Sequence, residues 1–172
     1  FNYYRQGPLD IYADDTTLQE LQQSFSYVFA CNAPDKHYGW YRPCLVPHVL
    51  RWGEQFSVGK LDILPFQQQH GKHGYSTGFR IGDFAYSPDT NGFSEESMAT
   101  LKGLKVWVVD CLRYDPAPTH AHLEMTLNWV NQLQPELAIL THMGHELDYD
   151  ILRRKIPNGV IPAYDNMVID NL

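Results

Sequence analysis

The sequence predicts an α/β fold, because strand-like and helical segments alternate through the second half of the chain. Two runs, Val106–Val109 and Leu137–Leu140, are wholly apolar, which is typical of strands that are buried on both faces. Between them, Leu123, Leu127 and Val130 recur at the spacing of one helix face. Layers of helix and sheet are therefore expected.

Length and composition describe one globular domain. At ~150 residues per domain, the 172 residues predict a single domain over 1–172. Thirteen basic and twenty acidic residues give a formal net charge of −7, which argues against a large surface for nucleic acid or anionic membranes. No apolar run approaches the ~18–20 residues of a membrane span. The chain opens with Phe1 and no leader-like segment, so we expect a processed chain or a piece of a longer protein.

The first half is predicted to contain strands, one helix and a long loop. Leu9–Ala13 alternates as a strand, and Asp14 or Asp15 should begin a helix, with Thr17 and Glu20 as a capping box. The apolar face of this helix recurs at helical spacing: Leu18, Leu21, Phe25 and Val28. Residues 33–47 are rich in Pro, Gly and aromatic residues and are predicted to be a loop.

The remaining elements are short. Predicted strands share apolar or alternating patterns: Phe56–Val58, Leu61–Gln67, Phe79–Ile81, Asp83–Ser87, Lys105–Asp110, and a last one near Met167–Ile169. The segment Gly71–Gly78 is turn-rich and is predicted to be mobile. Ser94 should cap one short helix, and Tyr149–Lys155 should form another.

The cysteines favour a reducing compartment. Cys31, Cys44 and Cys111 are odd in number and form no C-x-x-C pair, so at most one disulfide is possible. Buried free thiols are the simplest interpretation, and they predict a cytoplasmic location.

Four predicted strands are followed by an acidic residue or a histidine. His70, Asp89, Asp110 and His142 each stand at or soon after the carboxyl end of a strand. In layered α/β folds this edge is where sites are built, because rigid strands aim side chains from converging loops. Imidazole and carboxylate together suit zinc, manganese or iron. The four residues therefore predict a metal site.

Several of these residues have alternative roles. Asp110 could bind loop amides or hold a ligand histidine in place rather than bind a metal. Of the pair His120-Ala-His122, His122 is expected at the start of a helix that Thr119 could cap. His120 projects from the loop and is the better candidate for a phosphate contact or a general acid. His142 and His145 resemble a chelating pair, although one of them alone could reach the metal at a strand end.

Four ordered motifs resemble a metallo-β-lactamase-fold hydrolase, closest to the phosphodiesterase branch of the carbon–phosphorus lyase pathway. They are Tyr86-Ser-Pro-Asp-Thr90, Val109-Asp-Cys-Leu-Arg-Tyr114, Thr119-His-Ala-His-Leu123 and Leu140-Thr-His-Met-Gly-His145. The resemblance implies an αββα sandwich, of which this chain represents the C-terminal two-thirds, with a dinuclear metal site between two sheets. It also implies two divalent ions in the full-length parent, Zn or Mn, with Fe as a further possibility.

The resemblance also implies residue roles. His70 would be a metal ligand, with His73 as the alternative because the turn-rich segment leaves the alignment open. Asp89 would bridge the two metals, and His142 would be the last ligand, with His145 as its rival. His120 matches a histidine near the scissile phosphate, so it is the predicted catalytic residue.

The family's first signature, H-x-H-x-D-H, is absent from this sequence. The nearest string, His120-Ala-His-Leu-Glu-Met125, differs at two signature positions and lies after Asp89 instead of before Phe1. We therefore expect the missing ligands upstream in a full-length parent, and we predict that this chain alone is poorly active or inactive.

The leading functional prediction is a cytoplasmic hydrolase of small phosphodiesters, in which metal-bound hydroxide attacks phosphorus and His120 assists the leaving oxygen. The acidic balance argues against a long RNA substrate. The alternative is a non-catalytic, truncated or degenerate member that acts as a binding or assembly module. Its interface, of the kind that would suit a homodimer, would use aromatic residues at 38–41 and Trp52.

Overall fold

The computed structural model describes residues 7–30 and 44–170 and divides the chain into two compact units, Phe1–Arg51 and Trp52–Leu172. In the described part of the first unit, strand β1 (Leu9–Ala13) pairs in parallel with β2 (Leu45–Val49). Between them in sequence are helices α1 (Asp15–Ser24) and α2 (Ser26–Phe29). Strand β2 corrects the prediction of a loop to residue 47, and the part of that loop at 33–43 lies outside the described residues.

The cap of α1 differs from the predicted capping box. Asp14 is the N-cap, and its carboxylate accepts hydrogen bonds from the Thr17 amide (3.1 Å) and the Thr17 hydroxyl (2.6 Å). Thr17 therefore lies inside the first turn and does not begin the helix. The predicted apolar face is also divided, because the helix breaks at Phe25, whose side chain is 47% exposed.

The second unit is built on one seven-stranded sheet with the strand order β3 to β9. Its strands follow the chain in this order: β3 (Phe56–Val58), β4 (Leu61–His70), β5 (Gly74–Ile81), β6 (Phe84–Ser87), β7 (Val106–Asp110), β8 (Leu137–Thr141) and β9 (Val160–Pro162). Each neighbouring pair from β3 to β6 is antiparallel, whereas each neighbouring pair from β6 to β9 is parallel. Because β4 is two antiparallel steps from β6, strands β4, β6, β7 and β8 all run in the same direction and end at one edge.

Three helices accompany this sheet: α3 (Glu95–Thr100), α4 (Leu123–Leu133) and α5 (Tyr149–Lys155). Ser94 caps α3 as predicted, with its hydroxyl accepting from the Ser97 amide. The N-cap of α4 is His122, which makes no side-chain capping bond, so Thr119 does not have the predicted capping role. Among the described residues, no helix has the length and apolar character needed to cross a membrane.

The core of the second unit lies on one face of the sheet. Alternate residues of neighbouring strands belong to one buried cluster, including Trp107, Val109, Ala138 and Leu140. Apolar residues of α4 such as Leu127 pack against it. Each large apolar side chain buried in this way contributes about 1.5–3 kcal/mol, so the cluster fixes the strands that carry the polar edge.

Two predicted elements of this sheet are wrong. Residues 71–73 form a turn as predicted, but residues 74–78 are the first five residues of β5 and not part of a mobile segment, and they pair with β4 from His70↔Gly74 onward. Gly78 is required there, since a Cβ would overlap the Phe66 ring. The last strand is β9, not Met167–Ile169: Val160 and Pro162 are buried beside β8, and Pro162 is tolerated because β9 is an edge strand.

The cysteines only partly match the prediction of free thiols. Cys111 is free and buried, whereas Cys44 is disulfide-bonded. Cys31 lies outside the described residues.

Candidate metal centre

The common edge of β4, β6, β7 and β8 brings together polar residues that are far apart in sequence. Within the described residues, one group could hold a metal ion: ligand atoms of Asp89, His120 and His142 lie within 4.8 Å of one another. Asp89 and His142 approach closely, with 3.3 Å between Oδ1 and Nε2. A sequence-predicted ligand pair and the predicted catalytic histidine thus share one site.

Asp89 and His142 both adopt a backbone conformation that is unusual for residues with side chains. Their φ angles are 50° and 61°, in the left-handed region. Such a conformation costs of order 1–3 kcal/mol and is concentrated at functional sites. It turns the backbone sharply just beyond β6 and β8, which is where the two side chains meet.

His120 is oriented by the buried carboxylate of Asp110. The Asp110 Oδ2 atom lies 2.9 Å from His120 Nδ1 and also accepts a 2.8 Å hydrogen bond from the Thr90 amide. When Asp110 is ionised, Oδ2 can only accept, so the His120 proton lies on Nδ1 and Nε2 carries the lone pair that can meet a metal ion or a phosphate. Asp110 is therefore found in both roles weighed from the sequence, binding a loop amide and holding a histidine.

The Asp110 carboxylate is costly to keep charged. Its side chain is fully buried, and Oδ1 has no hydrogen-bond partner. Burial raises the pKa of Asp110, and the hydrogen bonds from His120 and Thr90 oppose that rise. The two bonds are thus the main interactions that favour the ionised form.

His70 lies next to this group but outside it. Its ring meets the His120 ring edge-on, with 4.9 Å between centroids. His70 Nδ1 donates a 3.0 Å hydrogen bond to the Thr119 carbonyl oxygen, so in the neutral ring Nε2 carries the lone pair. The His120 ring in turn stacks on the His142 ring at 4.7 Å.

The two alternative histidines are placed differently. His73 is exposed in the turn between β4 and β5, and His145 is exposed in the loop after β8. Neither belongs to the group of converging ligand atoms. The geometry favours His70 and His142 as the members of each pair nearest to the group.

Sequence reasoning found Asp89 in the loop 88–92 but missed the role of Thr90, which joins the strands that carry these side chains. Thr90 is fully buried, and its hydroxyl donates to the backbone oxygens of Gln69 and Gly92. Its own carbonyl oxygen accepts from the Ala121 amide at 2.7 Å, next to His120. Threonine is an ordinary loop residue, so no sequence pattern could have singled out Thr90.

The proposed aromatic interface is only partly visible. Residues 38–41 lie outside the described residues. Trp52 is 38% exposed, and its indole nitrogen donates to the Thr77 hydroxyl at 3.0 Å. This bond fixes Trp52 on its own unit and does not identify a partner.

Comparison with known proteins gives the family and the fold. The sequence profile of the Beta-lactamase superfamily domain matches residues 3–143. A new diphosphatase from the PhnP family is similar in structure, with a TM-score of 0.82 and 25% sequence identity over 97% of this chain and 60% of that one. No match was found among curated proteins at the level of sequence. This chain spans 60% of the length of the diphosphatase.

Two further structures show the fold alone, because their sequence identities are low. Zn²⁺-bound PqqB from Methylobacterium extorquens has a TM-score of 0.68 and 16% identity, covering 95% of this chain and 65% of that one. The short form of human tRNase Z has a TM-score of 0.62 and 14% identity, covering 94% and 67%.

Proposed function

The chain belongs to the beta-lactamase superfamily, and from this premise we propose that the protein is a metal-dependent hydrolase of small phosphodiesters. Its relatives by fold include hydrolases, among them the diphosphatase and tRNase Z. The similarity to a diphosphatase supports a reaction at phosphorus in preference to a carbonyl substrate. The observation that carries the proposal is the convergence of Asp89, His120 and His142.

The residues present fit a divalent metal ion. Their donors are one carboxylate and imidazole nitrogens, close enough for small side-chain rotations to place them around one ion. Such a set suits zinc, manganese or iron. When bound, the ion lowers the pKa of a water molecule and stabilises negative charge on a phosphoryl oxygen.

We propose that Asp89 and His142 bind the metal and that His70, which borders the converging group without belonging to it, moves in as the third ligand. We assign the proton-transfer role to His120. The Asp110 carboxylate holds His120 Nδ1–H, so a second proton on Nε2 makes a cation beside a buried carboxylate. That proton can pass to a leaving oxygen, and the remaining imidazole keeps its orientation. The same nitrogen cannot donate a proton and bind an ion at once, so the two roles can be separated by experiment.

The number of ligands limits what this chain can do alone. A two-metal site normally needs more donors than His70, Asp89 and His142 provide, and the sequence holds no H-x-H-x-D-H signature. We propose that the chain binds at most one ion and is poorly active or inactive by itself. Metal-dependent turnover of bis(p-nitrophenyl) phosphate by the purified chain would contradict this part of the proposal.

The test is metal content of the untagged chain, measured by plasma mass spectrometry after loading with Zn²⁺ and desalting. We expect Asp89→Ala and His142→Ala to lower retained zinc by more than tenfold, and His48→Ala to leave it unchanged. His48 is a suitable control because it pairs with Asp10 in the other unit. His120→Ala should retain zinc if His120 transfers protons, and should lose it if His120 is a ligand.

If neither the wild-type chain nor any variant retains zinc, the metal centre is rejected and the non-catalytic binding module becomes the better proposal.

A cytoplasmic location also remains part of the proposal. The disulfide at Cys44 argues against it, since disulfides persist in oxidising compartments. Cell fractionation decides between the two.

A further inference from the structure

Asn91 has no ionisable group, yet its side chain joins two segments of the site. Its Oδ1 accepts a 3.0 Å hydrogen bond from the Gly71 amide, in the turn just after His70. Its Nδ2 donates a 2.9 Å hydrogen bond to the Pro118 carbonyl oxygen, two residues before His120. One carboxamide therefore uses both its acceptor and its donor to hold these segments together.

The His70 ring makes a second bridge beside the first. His70 Nδ1 donates to the Thr119 carbonyl oxygen at 3.0 Å. His70 precedes Gly71 and Thr119 follows Pro118, so the imidazole and the carboxamide link the same two stretches of chain. A carbonyl oxygen only accepts, and the bond to Thr119 therefore selects the tautomer of His70 that carries its proton on Nδ1.

The backbone around Asn91 is itself held by hydrogen bonds to β4. The Asn91 amide donates to the Gln69 carbonyl oxygen at 2.9 Å, and the Gln69 amide donates to the Gly92 carbonyl oxygen at 2.9 Å. The segments 70–71 and 118–119 also lie close together, because a Cβ at Gly71 would be 3.0 Å from Thr119 Cγ2. Asn91 thus spans a narrow gap from a rigid base.

We propose that Asn91 is a positioning residue that sets the tautomer and orientation of His70, and so keeps His70 Nε2 available to the metal centre. It acts by holding the 118–119 segment where the Thr119 carbonyl oxygen meets His70 Nδ1. The inference rests on the proposed function for the use of Nε2, whereas the effect on the tautomer does not depend on it.

The test compares Asn91→Ala and Asn91→Asp with the wild-type chain. Aspartate can still accept from the Gly71 amide but cannot donate to Pro118, and it places a carboxylate against a carbonyl oxygen. Asn128→Ala is the matched control, since Asn128 is an exposed asparagine of α4. Long-range ¹H–¹⁵N spectra at pH 8 without metal report the tautomer of His70, and competition with a chromophoric chelator reports Zn²⁺ affinity.

We expect a single Nδ1–H tautomer of His70 with a slowly exchanging ring proton in the wild type and in Asn128→Ala. Both Asn91 variants should give mixed tautomers and fast exchange, with Zn²⁺ affinity lowered about tenfold, at the lower end of the effect of removing an outer partner of a ligand. If Asn91→Ala does not fold, Asn91→Asp still carries the test.

An unchanged His70 spectrum in a folded Asn91 variant would overturn the inference. A wild-type chain that binds no Zn²⁺ would reject the metal centre, but altered tautomers in the variants would still support the role of Asn91. A changed spectrum with wild-type Zn²⁺ affinity would show that His70 is not a ligand, and it would overturn the link to the metal centre.

Discussion

At the scale of single residues, the partner of one ring nitrogen decides what the other nitrogen can do. His70 and His120 both use Nδ1 as a donor, to the Thr119 carbonyl oxygen and to the Asp110 carboxylate respectively. Both therefore carry their lone pair on Nε2. The cost lies at Asp110, whose Oδ1 is buried without a hydrogen-bond partner. A feature of this kind is expected to be retained for function and not for stability.

Asp110→Asn should loosen the hold on His120 without reversing its tautomer. One atom, Asp110 Oδ2, accepts from both the Thr90 amide and His120 Nδ1, so a carboxamide oxygen in its place can accept both hydrogen bonds. The NH₂ group would then take the buried Oδ1 position, which has no partner, and the charge that strengthens both bonds would be lost. We expect His120 to keep its proton on Nδ1 and this proton to exchange faster with water. Long-range ¹H–¹⁵N spectra measure this, with Asp115→Asn, an exposed acidic residue of the same loop, as the control. Equal exchange rates in the two variants would refute the role of Asp110.

Cys111 should be unreactive in the folded chain. Burial, with a smaller effect from the Asp110 charge, raises the pKa of its thiol from 9.0 to about 12. Because the folded state holds this proton more tightly, the contribution of Cys111 to stability falls as the pH rises from 9.0 toward 12. We expect no iodoacetamide labelling at pH 8 by peptide mass spectrometry, and full labelling in denaturant. Rapid labelling of the native chain would show that the thiol is accessible.

At the scale of elements, strand direction is what gathers the site. Strands β4 and β6 are each antiparallel to β5, and β6 to β8 are parallel, so four carboxyl ends meet at one edge. The loop 88–92 then ties three of these strands together through the buried Thr90. Residues with a left-handed backbone conformation occur at the site, at Asp89 and His142, and also at the end of α4, at Gln134.

Gln134→Gly should stabilise the chain. Gln134 is the C-cap of α4 at φ 50°. The hydrogen bond from its backbone amide to the Val130 carbonyl oxygen would be kept in the variant. Glycine adopts this conformation without steric cost, and after its greater entropy in the unfolded chain is counted, we expect a gain of about 0.5–1 kcal/mol. Urea denaturation measures this gain. Gln132→Gly, inside the same helix, should instead lose about 1 kcal/mol, and a loss at both positions would contradict the argument.

At the scale of the whole molecule, charge limits the partners. The chain has the fold of the short form of human tRNase Z, but a formal net charge of −7. A long RNA needs a broad basic surface, since binding depends on the release of counterions from many phosphates. A small phosphodiester needs only a local site. The overall charge therefore supports the proposed small phosphodiester over a long RNA.

The chain should not bind transfer RNA. We expect no shift of a transfer RNA in native gels at protein concentrations of ~1–100 µM, where basic proteins bind non-specifically. Low-salt buffer makes the test strict, because it strengthens any electrostatic binding. A shift that disappears with added salt would reveal a basic surface that the overall charge conceals, and would favour an RNA substrate.

The sequence by itself determined the α/β class, most element positions, and the acidic and histidine residues at strand ends, because these depend on local patterns of apolar spacing and capping. It misplaced the last strand and the residues 74–78, where pairing with β8 and β4 outweighed local preference. It found the resemblance that the family match confirms.

Only the tertiary structure decided how the site is assembled. The hydrogen bonds from His70 to Thr119 and from Asn91 to Pro118 join residues 49 and 27 positions apart, and Thr90 meets Asp110 across 20. No local pattern records which carbonyl oxygen faces which ring nitrogen, since that depends on the register of a seven-stranded sheet. The residue types suited to a metal were therefore visible in the sequence, whereas the tautomers and orientations that make them usable arise from contacts between distant loops.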